Sequence, residues 1–210
     1  MGSLPTAGRE EAWKDVGMDS PVGIVENSVR KGMEPKSMVH MTFTGFFEWT
    51  PENRHILESL KNVMEIKLRE VMREDMGGTY GVWMWTSPTH YPKERYKFNI
   101  RFGCSPENVD TLTQAVFTQI DSIQSYGIDV DYISKVQEIQ RRERETKLKE
   151  NQFWLGSLES YYFHGENPLQ ILNYDQLVDS INPDVIQAAA ANYLNQENYM
   201  KVTLYPEVVE

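Results

Sequence analysis

Leu68-Arg-Glu-Val-Met-Arg-Glu-Asp-Met-Gly-Gly-Thr-Tyr-Gly-Val82 turns a helix into a strand within fifteen residues, and the rest of the chain is arranged around that change. Upstream of it, Leu60, Met64, Leu68 and Met72 recur every fourth residue, with Val63 and Val71 beside them, which predicts one buried helical stripe. Gly77-Gly78 then ends the helix, because glycine enters the left-handed cap conformation without a Cβ penalty. The run Tyr80-Gly81-Val82-Trp83-Met84-Trp85 is rich in aromatic and branched residues, so a strand leaves directly from the cap. Arg73 and Tyr80 flank the turn and offer a guanidinium and a phenol on one side of it. An ordinary helix-to-strand connection would use the same residues differently. Arg73 would then pair with Glu70 or Glu74, and Tyr80 would pack within the strand.

Working outward, Thr50 is a good N-cap for this helix, with Pro51 at its first position and Glu52-Asn53 in its first turn. The helix is expected to run to about Met76. Two strands are predicted before it, over 22–31 and 37–49, and two after it, over 80–87 and 95–104. The last alternates Tyr96, Phe98, Ile100 and Phe102 against Lys97, Asn99 and Arg101, the pattern of an antiparallel strand with one face buried. Ser105-Pro106-Glu107-Asn108 echoes Thr50-Pro51-Glu52-Asn53 and predicts a second helix starting alike, with Val109, Leu112, Val116, Ile120 and Ile123 inward and a stop near Gly127. From Asp131 to Phe163 the sequence reads as one long helix or a broken pair. Its charged middle forms a solvated face, and the apolar cluster from Phe153 to Phe163 is expected to dock the far end. Helices over 168–181 and 183–194 and a strand over 200–205 complete the chain, with Glu207–Glu210 frayed. The fold class is α+β: an antiparallel sheet with helices packed on one face, plus a C-terminal helical hairpin. Residues 1–21 are expected to be an arm or linker anchored by Trp13, Met1-Gly2-Ser3 an appended scar, and residues 22–210 one domain.

The chain has 210 residues, 40% of them hydrophobic, enough to build a core. A net charge of −10 opposes a nucleic-acid partner or an anionic membrane, both of which favour a basic surface. It disfavours a ferredoxin-like nucleic-acid binder, which the sheet and its exposed aromatics would otherwise allow. Cys104 is the only cysteine, so an internal disulfide and a cysteine-only metal site are excluded. No apolar run approaches the roughly 18 residues that a membrane span needs. Chemistry is sparse. His40, His90 and His164 have no second histidine at ligand spacing, and there is no Gly-x-Ser-x-Gly, Cys/His pair or phosphate loop. No self-contained catalytic site and no metal site is expected.

Arg-Glu-x-x-Gly-Gly-x-Tyr after a long amphipathic helix, Arg73 to Tyr80, resembles the C-terminal half of pitrilysin-type zinc metallopeptidases. The resemblance extends from about Leu4 to Pro206 and implies a ferredoxin-like α+β unit. In that family, zinc is held in the N-terminal half by an inverted His-x-x-Glu-His motif and a later Glu. The C-terminal half lacks the motif and contributes an Arg and a Tyr, seven residues apart, that help bind the peptide. Arg73 and Tyr80 match that spacing and Arg69 does not. His55-Ile56-Leu57-Glu58 matches the first four positions of the zinc motif, but Ser59 stands where the second histidine should be. The resemblance therefore implies a substrate-binding domain without zinc, partnered by a zinc-bearing N-terminal half and closing the chamber over a peptide. It further implies a bacterial periplasmic or envelope location. The alternative is a catalytically inactive structural or assembly module with the same fold.

Overall fold

The computed structural model describes residue 8 and residues 12–207, apart from the Asp75 side chain. Met1-Gly2-Ser3, most of the stretch before Ala12, and Val208–Glu210 lie outside the described residues. Five strands form a sheet: β1 (Ile24–Arg30), β2 (Ser37–Phe46), β3 (Thr79–Thr86), β4 (Arg95–Cys104) and β5 (Tyr199–Tyr205). Their order is β1-β5-β2-β4-β3. The pairs β2–β4, β3–β4 and β2–β5 are antiparallel, as expected, whereas β1 runs parallel to β5. The last strand thus inserts between the first two, so residues 24–30 and 199–205 close one layer from opposite ends of the chain.

Among the described residues, six α-helices accompany the sheet: α1 (Pro51–Arg69), α2 (Val109–Tyr126), α3 (Val130–Lys147), α4 (Asn151–His164), α5 (Tyr174–Ser180) and α6 (Pro183–Tyr193). One face of the sheet, carrying Val39, Met41, Phe43, Phe98, Ile100 and Phe102, is fully buried together with Leu60, Met64, Leu68 and Met72. That is the stripe predicted from the fourfold spacing, and Val63 joins it. On the opposite face Lys97 and Arg101 are exposed, and Trp83 and Trp85 stand beside Arg101 and Asn99 in register. The broken-pair alternative holds for 131–163, where α3 and α4 are separate helices.

Three further expectations change. The Thr50 cap forms, its hydroxyl accepting from the Asn53 N–H at 3.0 Å, but Ser105 makes no such bond. A 3-10 turn over Pro106–Asn108 precedes α2 instead, so the echo in sequence is not an echo in capping. The segment expected as a helix over 168–181 is a 3-10 turn, Pro168–Asn173, followed by the short α5. Finally, α4 buries none of its residues: Leu155, Tyr162 and Phe163 are all more than 60% exposed. Its apolar residues lie all around the helix and not on one stripe, so no single face can turn inward and dock.

Candidate substrate-binding turn

Between α1 and β3 the backbone departs from regular geometry twice. At Glu70 the α-helix widens into a π-helix that runs to Asp75, and the Met76 N–H closes on the Val71 carbonyl at 3.0 Å. The expected helix to Met76 is therefore helical throughout but not α-helical throughout. Gly77 takes φ +59°, and the Gly78 N–H reaches the Met72 carbonyl at 3.1 Å. That bond spans six residues, one more than the usual helix-end closure, because the final turn is already wide. Gly78 is also a packing requirement, since a Cβ there would stand 3.2 Å from a Leu112 methyl. Met72 is buried and anchors the wide turn, while the next residue, Arg73, is exposed.

The Arg73 side chain makes no hydrogen bond or ion pair among the described residues. Of the two carboxylates expected to pair with it, Glu70 is engaged elsewhere and Glu74 is exposed. Glu70 accepts a 2.5 Å hydrogen bond from the Tyr132 hydroxyl and lies 4.0 Å from the Lys135 ammonium, both on α3. The second irregularity is in β3. Thr79 pairs with Cys104 and Gly81 with Gly103, so Tyr80 is the extra residue of a β-bulge. Thr79 stitches the bulge together: its hydroxyl lies 2.8 Å from the Gly103 carbonyl, 3.0 Å from the Gly81 carbonyl and 3.1 Å from the Gly81 N–H. Tyr80 itself is 59% exposed. Its hydroxyl is 3.4 Å from the Ser105 hydroxyl, and the Lys36 ammonium lies 5.9 Å from its ring centre. Each of the two residues singled out from the sequence thus sits in its own backbone irregularity, one on each side of the diglycine.

The start of α1 looks quite different. His55, Glu58 and Ser59, the partial zinc motif, lie in a regular helix. Ser59 is fully buried, and its oxygen is 2.8 Å from the Gln140 side-chain nitrogen, an ordinary hydrogen bond where the motif would have its second histidine. Glu58 is held by Lys61 at 2.7 Å and by the Thr86 hydroxyl at 3.1 Å. No group of three or more His, Cys, Asp or Glu side chains among the described residues could hold a metal ion. The donor set here, one histidine beside a serine, does not fit zinc.

One cluster was not legible in the sequence. His90 and His164 bring their Nδ1 atoms to 3.1 Å, with Trp49 stacked on His90 at 5.2 Å. Glu166 binds both Arg54 nitrogens at 2.7 and 2.8 Å and accepts from the Trp49 indole at 2.6 Å. Although burial opposes ionisation of Glu166, the Arg54 guanidinium and the indole N–H hold its pKa below the usual value. The two histidines are 74 residues apart in the chain, and no local pattern relates them.

The profile of the Peptidase M16 inactive domain matches residues 2–140. The chain belongs to this family. It is 27% identical over 167 residues to the probable zinc protease PqqL of Haemophilus influenzae, covering 78% of this chain and 18% of that protein. Among solved structures, the periplasmic protease PqqL from Escherichia coli superposes with a TM-score of 0.81 at 18% identity, over 98% of this chain and 23% of that one. A peptidase M16 inactive domain from Pseudomonas fluorescens superposes with a TM-score of 0.75 at 16% identity, over 92% and 46% of the two chains. The chain therefore spans about a fifth of the length of the curated relatives it matches. It is an inactive M16 domain related to zinc proteases, and no helix among the described residues is long and apolar enough to cross a membrane.

Proposed function

We propose that this domain binds peptide for a zinc-dependent metalloendopeptidase whose zinc lies in a separate N-terminal half, with Arg73 and Tyr80 as the contacting side chains. The observation that carries this reading is the pairing of a π-turn and a β-bulge around Gly77-Gly78, each irregularity presenting one exposed donor. π-turns and β-bulges both concentrate at functional sites, because each re-aims a side chain that a regular element would place elsewhere. Arg73 offers a rigid fork of donors and Tyr80 a neutral hydroxyl, which suit a peptide carbonyl or the oxyanion formed from it. In the partner half, a zinc-bound water activated by a glutamate would perform the hydrolysis. The likeness to periplasmic PqqL supports an envelope location for the whole protein. We further take residues 1–21 as the linking arm and 22–210 as the domain.

A second reading, an inactive assembly module, rests on α4. Trp154, Leu155, Leu158, Tyr162 and Phe163 form an exposed apolar surface of the kind that another domain covers. Kinetics of the complete two-half protein separate the readings. Arg73→Ala and Tyr80→Phe should each lower kcat/KM about 10²–10³-fold if the contact is to the oxyanion, with a change mainly in KM if it is to the ground-state carbonyl. Zinc content and folding should not change. Wild-type kinetics in both folded variants would remove the substrate-binding reading and leave the assembly one.

A further inference from the structure

The face of the sheet turned away from α1 is uncovered, with Trp83, Val202 and Leu204 50%, 46% and 40% exposed. Trp83, Arg101 and His40 stand side by side across it, and Trp85, Asn99 and Thr42 form the next row. On the other side of the Trp83 row, Gly81 and Gly103 are paired. A Cβ on Gly81 would stand 3.1 Å from the Trp83 ring, and one on Gly103 would stand 3.7 Å from the Tyr80 ring. The two glycines therefore let Trp83 and Tyr80 lie down against this face. The bulged tyrosine at the diglycine turn and the tryptophan on the open sheet make one continuous aromatic platform.

The charges on this face select the ligand. The chain carries 31 Asp and Glu against 21 Lys and Arg, yet Glu26 is the only acidic residue in the five strands. Glu26 belongs to the other face, opposite Lys201, which in turn stands opposite the buried Met41. On the open face Lys97 and Arg101 are exposed, and their side chains make no hydrogen bond or ion pair among the described residues. Asn99 between them is already committed. Its Oδ1 lies 3.0 Å from the Thr42 hydroxyl and 3.2 Å from His40 Nε2, and its N–H₂ donates to the Trp85 carbonyl at 3.3 Å. Two unbalanced cations beside aromatic rings, on strands free of carboxylates there, are complementary to an anionic ligand with an apolar part. Same-face positions along β4 recur about every 7 Å, the repeat at which an extended peptide presents alternate side chains. A nucleic acid would meet the acidic remainder of a chain of net charge −10. Resting on the peptide-binding reading above, we propose that this face selects acidic peptides. A carboxylate side chain would meet Arg101 or Lys97, and an aromatic or apolar one would lie on Trp83 and Tyr80.

The test uses the 210-residue chain and two capped peptides, Ac-Ala-Phe-Ala-Glu-Ala-Glu-Ala-NH2 and its counterpart with Gln in place of Glu. Binding is followed by NMR of the Trp83 and Trp85 indole N–H groups. The Glu peptide should give saturable shifts and bind roughly three- to tenfold more tightly than the Gln peptide, the range expected of two exposed charge pairs. Arg101→Gln combined with Lys97→Gln should bring the two affinities together, and since both side chains are exposed and unpartnered the fold should persist. Arg73→Ala should weaken both peptides alike and leave their ratio intact. If Arg73→Ala changed neither affinity while the ratio held, the turn reading would fail and the acidic-peptide face would stand. Equal affinities in the wild type, a ratio that survives the double substitution, or no shift at Trp83 would overturn the proposal. So would tighter binding of an octathymidylate than of the Glu peptide, which would make the face a nucleic-acid site.

Discussion

The two ends of α1 handle polar groups in opposite ways. At its start the helix is regular, and it buries His55 and Ser59 deep among apolar neighbours. At its far end the backbone is irregular, and Arg73 and Tyr80 face solvent on either side of a glycine turn. His55 and Ser59, which fall within the partial match to the zinc motif, are part of the core here. The lesson is that a helix can carry a serine where the motif has its second histidine and stay regular, because the Gln140 N–H₂ donates to the buried Ser59 hydroxyl there. The proposed substrate contact, by contrast, rests on irregular backbone, the π-turn and the β-bulge.

If the middle of α1 is the common support for both ends, Leu68→Ala should be the most damaging change to stability. Leu68 is fully buried against the sheet, and opening a cavity there should cost roughly 2–5 kcal/mol by chemical denaturation. A loss below about 1 kcal/mol would mean that the helix does not brace the turn, and the comparison between its ends would lose its basis.

Ser59→Ala probes the start of α1 more narrowly. It leaves the Gln140 N–H₂ without its 2.8 Å partner in a buried site, which should cost about 1–3 kcal/mol. Ser59→His would sharpen the same point, since one restored histidine beside His55 still falls short of the three or four protein ligands a zinc site needs. No stoichiometric zinc should be retained after dialysis. Retention of one zinc per chain would show that the site is incomplete in one residue only.

These effects bear on what the sequence could and could not convey. Leu60, Met64, Leu68 and Met72 were legible as a buried stripe because a helix enforces the spacing wherever it packs. The alternation in 95–104 was legible because a strand's pleat turns successive side chains to opposite faces, except that Asn99, expected outward, is buried. Arg73 and Tyr80 were visible as a pair, but the π-turn and the bulge beneath them were not. Both arise from hydrogen-bond register, which side-chain type specifies only weakly. The parallel β1–β5 pairing was hidden too, because it joins segments some 175 residues apart, as Ile24 opposite Tyr199 shows. The exposure of α4 was not legible, because a helix apolar on all sides reads as buried whereas α4 buries none of its residues.

Helix starts offer a smaller contrast. Thr50→Ala removes a side-chain cap and should cost about 0.5–2 kcal/mol. Ser105→Ala removes none and should fall within about 0.5 kcal/mol of wild type, the usual range for surface changes. Equal costs would mean that the 3-10 entry to α2 is itself held by Ser105, restoring the echo between Thr50-Pro51 and Ser105-Pro106.

The smallest effect concerns pH at the buried end. Burial holds the His55 pKa below the ordinary 6.5, outweighing the nearby Glu58, which would raise it. The unfolded chain therefore takes up a proton at His55 at a higher pH than the folded chain does. The stabilising preference for neutral His55 is fully present above about pH 6.5 and is lost as the pH falls through the depressed folded value. His164, lowered by burial, contributes a slope of the same sign in the same window. Glu166, whose pKa is held below 4.5, acts only in more acidic solution. Denaturant unfolding at pH 7.5 and 5.5 should therefore show a larger loss in wild type than in His55→Phe, in which the His164 contribution persists. Tyr80→Phe, at the solvent-facing end, should track wild type at both pH values. If His55→Phe kept the full wild-type slope, the imidazole would be taking its proton in the folded state as readily as in the unfolded one. The start of α1 would then be as open to solvent as its end.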